Sequence, residues 1–541
     1  MKKNYQKFLI FNFTLENIEK IVLTLKQIEC IFAVFNLSFM DNATSTPQEK
    51  QNEIFNGGVV PITDQVSTPP VNPQTVKNVS TKEVEEFKYQ PKPKINLKKT
   101  SKVFVAAISF VIILVPLLFI FLKYNPFNNK SVSSKKGEIV WWSLGIDEIV
   151  AKKMVADYLQ DNPRAKINLI VESEIDYGER LLNSLKDGKG PDVFTIHNSW
   201  VPMVAEHLDP IPAKIYSEED YSKNYYSVIS KDFKTTEGIV GVPLEYDALT
   251  LFVNEDIFSR SGKTYPKTWD EFATLADELT LKDGKGFILQ SGAALGITQN
   301  VDFWQEIVAL LMLENKSNLI SPNANATVEK TSFEALLSYA DYYSTLKVWN
   351  STLPSSTTAF AEGKVVMFFA PARAAREIKK ISPNLKFRTI IVPQVRKNDP
   401  NEPDVSYATY WAQAVWKKSN DKDLAWDFLK YLARDDSYEK MQNYYKELGI
   451  PSPASPKISE REKLTNDRVL GSVVALAPVA TSWYLADKTY DGPKGINTVV
   501  NTAYKKAIDA ISLTRRRDKI VLLKTLSSEL KKGLFTFGIT R

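Results

Sequence analysis

Residues 103–122 (VFVAAISFVIILVPLLFIFL) form an uncharged, almost wholly apolar run, and no other feature restricts the chain as strongly. Twenty residues of α-helix extend about 30 Å, the thickness of a bilayer's hydrocarbon core. Pro116 would interrupt a helix in water but is tolerated in one that crosses a membrane. The alternative is a buried core helix, and such helices rarely run this long without a charge. The run starts too far from Met1 for a cleaved signal peptide, so it reads as an uncleaved signal anchor. Lys88, Lys92, Lys94, Lys98, Lys99 and Lys102 precede it, and Lys123, Lys130, Lys135 and Lys136 follow. By a slim margin, this balance puts the N-terminus in the cytoplasm and the remainder outside the cell.

The chain divides around that span. Residues 1–101 are expected to be a cytoplasmic, largely disordered segment. Within it, residues 41–101 are rich in Pro, Thr, Asn, Gln and Lys and poor in large apolar residues. Met40 opens this polar stretch and is a second candidate start of translation. The transmembrane helix takes 102–123, and 124–137 is a polar linker. A globular part of 138–541 follows, too long for one core of ordinary size.

Short apolar runs alternate with helical spacing at the start of the globular part. Ile139 to Trp142 reads as a strand. Asp147 suits an N-cap, and Ile149, Val150, Met154, Val155 and Leu159 follow at helical intervals until Pro163 stops them. Residues 167–171 read as a strand, 177–185 as a helix and 191–196 (PDVFTI) as another strand. This alternation predicts an α/β fold with a largely parallel sheet. Beyond residue 265 long helical patterns dominate.

Composition excludes several functions. A formal charge of +6 on 541 residues is small, and it argues against nucleic-acid binding. The single cysteine, Cys30, permits no internal disulfide and no thiolate zinc site. Only His197 and His207 offer imidazoles. Neither a G-x-S-x-G elbow, an H-E-x-x-H helix nor a P-loop occurs, and the acids Asp176 and Glu179 fall at a solvated helix start. No enzyme, metal or cofactor is expected.

Four motifs carry more. Residues 241–271 hold Gly241-Val242-Pro243, then Leu251-Phe252-Val253-Asn254 with Asp256, Ile257 and Phe258, then Pro266-Lys267-Thr268-Trp269-Asp270-Glu271. Phe360, Gly363, Lys364 and Met367 form a second, Ala425-Trp426 with Phe428, Leu429, Tyr431 and Leu432 a third, and Gly449-Ile450-Pro451 a fourth. In this order they resemble the family 1 extracellular solute-binding proteins, the group that includes maltose-binding protein, over about 138–541. Part of the first run has its own rationale, because Thr268 and Glu271 form a capping box for the helix that Trp269 begins. One departure stands out: Gln27-Ile28-Glu29-Cys30 lacks the small residue of a lipobox, so the span replaces the lipid anchor of many relatives.

The resemblance implies a two-lobe periplasmic-binding-protein-like fold (type II) with an interlobe cleft. Lobe I would comprise about 138–246 and 411–455, lobe II about 247–410 and 456–541. The crossings would fall near Tyr246-Asp247 and Tyr410-Trp411. The ligand would lie between the lobes, at the carboxyl ends of strands. Candidate ligand-binding residues are Trp142, Ser143, Asn198, Ser199, Tyr246, Asp247, Arg373, Tyr407, Tyr410, Trp411, Trp483 and Tyr484. Aromatic faces suit the apolar faces of sugar rings, and Asp, Asn and Arg suit hydroxyls. Core packing is the plain alternative for each tryptophan, more so for Trp200 and Trp304, and for His197. Arg373 leaves an anionic ligand open. The implied function is a membrane-anchored extracellular receptor that captures a small solute, most plausibly a sugar, and delivers it to ABC permease subunits. A ligand-binding sensor or surface module on the same fold is the alternative.

The topology has a direct check. An epitope tag placed after residue 138 should be reached by antibody on intact cells. Exposure only after lysis would reverse the orientation.

Overall fold

Local side-chain chemistry shapes the first sheet. The computed structural model describes residues 135–317, 326–397, 399–482, 487–513 and 518–539. The apolar run 103–122, the polar N-terminal segment and the pair Trp483 and Tyr484 lie outside the described residues. Among the described residues, no helix is long and apolar enough to cross a membrane.

Strand β1 (Gly137–Ser143) buries Ile139 and Trp141 on one face. The carboxylate of Asp147 accepts hydrogen bonds from the backbone N–H groups of Ile149 and Val150 and starts α1 (Glu148–Asp161). Val150, Met154, Val155 and Tyr158 face inward, whereas Ile149 is half exposed, contrary to the expected apolar stripe. Its place in the first turn points it away from the sheet. β2 (Ala165–Val171), α2 (Tyr177–Lys186) and β3 (Val193–His197) follow. All five residues of β3 are buried, as expected for a central strand covered on both faces.

The chain then forms β4 (Val242–Pro243) and passes to a second sheet, opened by β5 (Leu249–Asn254). α3 (Trp269–Glu278) begins with the expected capping box: Thr268 accepts from the Glu271 N–H, and the Glu271 side chain bonds back to the cap. β6 (Leu281–Lys282), β7 (Ile288–Ala293), α4 (Trp304–Glu314) and α5 (Ala326–Ser344) come next. β8 (Val365–Pro371) and β9 (Phe387–Ile390) complete the second sheet. The chain returns through β10 (Trp411–Val415), α6 (Lys422–Leu432) and α7 (Asp435–Glu447), and ends on α8 (Ile496–Ser512) and α9 (Lys519–Phe535).

Both sheets have five strands, in the orders β2-β1-β3-β10-β4 and β9-β5-β8-β7-β6. Neither is largely parallel. In the first, β1 pairs in parallel with β2 and β3, but β10 runs antiparallel to β3 and β4. In the second, only the pairing of β8 with β7 is parallel. The cause is topological: β10 returns from the other sheet, enters from the opposite end and so runs against its neighbours. The region past residue 265, expected to be mainly helical, also supplies β6, β7 and β9, whose short runs give little periodic signal.

Three apolar clusters hold these layers. One face of the first sheet packs Ile139 and Trp141 against α1, α6 and α7, with the Trp141 and Phe428 rings 5.2 Å apart in an edge-on contact. The opposite face gathers Phe194, Ile196, Leu181 and Trp200. The second sheet buries Leu251, Phe252 and Phe368 with α4, α8 and α9.

One buried acid beside the second sheet's core has a measurable consequence. Glu314 ends α4, and its Oε2 accepts a 2.5 Å bond from the Trp269 indole N–H. Burial raises its carboxyl to about 8 against the lowering effect of that bond. The folded state therefore favours the proton, and stability falls as pH rises from the unfolded value near 4.5 to about 8. Glu314→Gln should lose this slope and gain about 3–4 kcal/mol at pH 8 relative to pH 5, read by denaturant melts at both pH values.

Candidate functional site

The two sheets are joined where three chain segments lie side by side. Ala248 bridges Ala408 antiparallel, and Tyr407 bridges Thr481 in parallel. Backbone bonds run from Leu249 N–H to Tyr407 O, from Thr409 N–H to Asp247 O, and from Ala408 N–H to Thr481 O. Tyr246 N–H donates to Ala454 O on the flank of the first sheet.

Asp247 ties this ribbon to the second sheet. Its carboxylate accepts bonds from the N–H groups of Ala372 (2.8 Å) and Arg373 (3.0 Å), just past the end of β8, and from its neighbour Ala248. The Arg373 guanidinium lies 3.6 Å from the same carboxylate and donates at 3.5 Å to Thr409 O. Burial raises the Asp247 carboxyl, and Arg373 opposes the rise. For Arg373, burial is outweighed by Asp247, Glu306, Glu174 and Glu245, which together hold its proton more firmly.

On the first-sheet side, β3 ends in His197, directly opposite Trp411 on β10. His197 Nδ1 is 2.8 Å from Asp487 Oδ2 and 2.8 Å from Ser199 Oγ, and Nε2 is 3.0 Å from Thr409 Oγ1. Asp487 also accepts from Ser199 Oγ and from the Asn497 amide of α8. Burial alone would push the Asp487 carboxyl up; His197 and the bonds from Thr489 bring it down to about 2. A second buried acid, Asp232, accepts from Asn198 Nδ2 (2.9 Å), Tyr410 Oη (2.8 Å) and Ser482 Oγ (2.5 Å). The Ser-His-Asp trio is no catalytic relay. Asp487 and Ser199 share the same imidazole nitrogen, whereas a relay needs them on opposite nitrogens.

The sequence candidates therefore divide. Asn198, Ser199, Asp247, Arg373 and Tyr410 converge at the junction, joined by the hydrogen bonds above. Tyr407 and Tyr246 are buried in the ribbon, and the Tyr246 ring lies 4.9 Å from Tyr226. Trp411 packs edge-on against His197 and Trp200 at 4.9 and 5.3 Å. Trp142 is half-buried at the end of β1, and Ser143 beside it is fully buried with its hydroxyl unpartnered. Trp483 and Tyr484 fall outside the described residues, flanked by Ser482 and Asp487, which are both anchored to the junction. Sequence reasoning missed Asp232, Glu245, Glu306 and Asp487. For Glu306 a signal existed: it is one of two carboxylates in the otherwise largely apolar helix WQEIVALLMLE.

Larger cavities lie away from this junction. One of about 850 Å³ runs beside β9 past Ile391 and Val395. Another, of about 1150 Å³, separates α2 from α8 and α9.

Two mixed α/β layers joined by a narrow ribbon, with polar groups from both gathered at the join, define a periplasmic-binding-protein-like fold. The chain belongs to the bacterial extracellular solute-binding proteins, whose family model matches residues 146–439, more than half of its length. It is 26% identical over 314 residues to a multiple sugar-binding protein of Streptococcus mutans serotype c (strain ATCC 700610 / UA159), a match that covers 56% of this chain and 71% of that one. Among solved structures, it superposes at a TM-score of 0.58, with 18% identity, on an ABC transporter solute-binding protein from Thermotoga lettingae TMO bound with alpha-D-tagatose, covering 74% of this chain and 100% of that one. The sugar-binding protein MalE from Xanthomonas citri gives 0.58 at 17% identity, with 74% and 98% covered. At these identities the structures speak to fold alone.

The His197–Asp487 pair should show in acid. A carboxyl held at about 2 contributes stability that is present above its ordinary 3.8 and lost as pH falls toward 2. Asp487→Asn should cost about 3–5 kcal/mol at neutral pH, as expected for breaking a buried pair. It should also flatten the acid limb of the melting profile. An unchanged limb would mean that Asp487 is not the group responsible.

Proposed function

We propose that this chain is a membrane-anchored, extracellular solute receptor of an ABC importer that captures a sugar or oligosaccharide between two lobes. The single observation that carries the reading is the junction itself. Polar groups of both sheets meet there on a ribbon only three segments wide. In the anticipated division, residues 138–246 and 411–455 form one lobe, and 247–410 and 456–541 the other. Opening and closing about the ribbon would expose and cover Arg373, Asn198 and Ser143 together. A ligand that touches both lobes favours the closed arrangement by its extra contacts there.

The relative from Streptococcus mutans is named for binding multiple sugars, which supports a saccharide. The aromatic supply agrees: Trp142 is half-buried at a strand end. The run 103–122 would hold the receptor at the membrane, and the closed form would be presented to permease subunits.

Closure can be measured on the full-length chain. With Cys30→Ser, spin labels at Lys189→Cys and Lys285→Cys report the distance between the two sheets' outer surfaces. Saturation with a saccharide found by calorimetric titration of mono- to tetrasaccharides should shorten that distance. Tight binding with an unchanged distance distribution would rule out closure as the mechanism.

A further inference from the structure

Glu306 is the third residue of α4 and is fully buried. Beyond the residue's own backbone N–H, neither of its carboxyl oxygens has a hydrogen-bond partner. Buried polar groups in folded proteins are almost always satisfied, so an orphaned carboxyl calls for a partner from elsewhere. The charges that act on it are Asp487 and Arg373 of the junction, and Lys488.

None of these serves as its partner. Arg373 is engaged by Asp247 and Thr409 O. The Lys488 ammonium stands over the Phe303 ring, 4.0 Å from its centre. Asp487 and Asp232 are spent on His197, Ser199, Asn497, Asn198, Tyr410 and Ser482. Among the described residues, Glu306 is thus a fully buried junction acid with both carboxyl oxygens left over.

The surrounding charge is also one-sided. Glu174, Glu245, Asp247 and Glu306 all act on Arg373. Arg376, the next cation, is turned to Pro451 O and Gly145 O.

We propose that Glu306 is a ligand-contacting, specificity-determining carboxyl, and that the solute offers it a hydroxyl or an amine and carries no negative charge. The inference rests on the saccharide reading above and deepens it. An anionic sugar would have to take Arg373 from Asp247 while standing beside the Glu306 carboxyl. A hydroxyl or ammonium group would instead donate to Glu306 and leave the Arg373–Asp247 pair intact. Burial and the nearby Asp487 raise the Glu306 carboxyl to about 7, against the opposing pull of Arg373 and Lys488.

The test uses the full-length chain in detergent and three trisaccharides that differ in charge: maltotriose, the glucosamine trimer and trigalacturonate. Titration calorimetry at neutral pH should show binding of maltotriose or of the glucosamine trimer; which of them binds tells a hydroxyl source from an amine source. Trigalacturonate should bind at least about a hundred-fold more weakly. Glu306→Gln keeps the shape and removes the charge. It should weaken the bound trisaccharide by about ten-fold or more, with no loss of melting temperature. Should that variant melt early, Glu306→Asp, which keeps the charge and shortens its reach, should show the same loss. Trigalacturonate binding as tightly as the others would overturn the charge rule and leave saccharide capture standing. Wild-type affinity in both variants would remove Glu306 from the site. Binding of none of the three would overturn the saccharide reading and this inference with it.

Discussion

The Asp247 carboxylate is the interaction on which the junction depends. It sits where the chain first leaves one sheet for the other, and it gathers the N–H groups of Ala372 and Arg373 from the far end of β8. Its own carbonyl receives Thr409 N–H from the returning segment. One residue thus fastens the outgoing strand, the returning strand and the end of a strand in the second sheet. Hydrogen bonds to an ionised acceptor are stronger than neutral ones, and burial leaves no water to replace them. The Arg373 guanidinium offsets the cost of burying that charge, which is why the two occur together.

A second polar centre works from the other side. His197 reaches Thr409 on the ribbon with one nitrogen and Asp487, just before α8, with the other. Since α8 packs into the second sheet's core while His197 ends a strand of the first, this buried network spans the join. Satisfied networks of this kind favour one arrangement over many near-equivalent ones.

Much of the frame was legible because local chemistry wrote it. Asp147 capped α1, Thr268 and Glu271 made the capping box of α3, and β1 and β3 were apolar runs between helices. Where the reading failed, long-range geometry had decided the outcome. No window of sequence shows that β10 enters the first sheet backwards, because that follows from a chain path of some 200 residues. β6, β7 and β9 were lost among helical patterns because two to six residues carry too little period. At the junction, the residue types were visible but their partners were not. Asn198, Ser199 and Tyr410 are bound to Asp232 and Asp487, acids that stand well apart from them in sequence.

The strand order of the first sheet also bears on how the polypeptide is made. β10 lies in the middle of that sheet, between β3 and β4, with Trp411 opposite His197. A nascent chain that has emerged only as far as residue 400 holds β1, β2 and β3 but has an open edge where β10 belongs, and apolar groups such as Phe194 and Ile196 lack their cover. Closing so long a loop is slow and gains nothing until both ends are present. The first sheet therefore waits for the second to be synthesised, and the half-built chain depends in the meantime on whatever shields an unpaired β-edge.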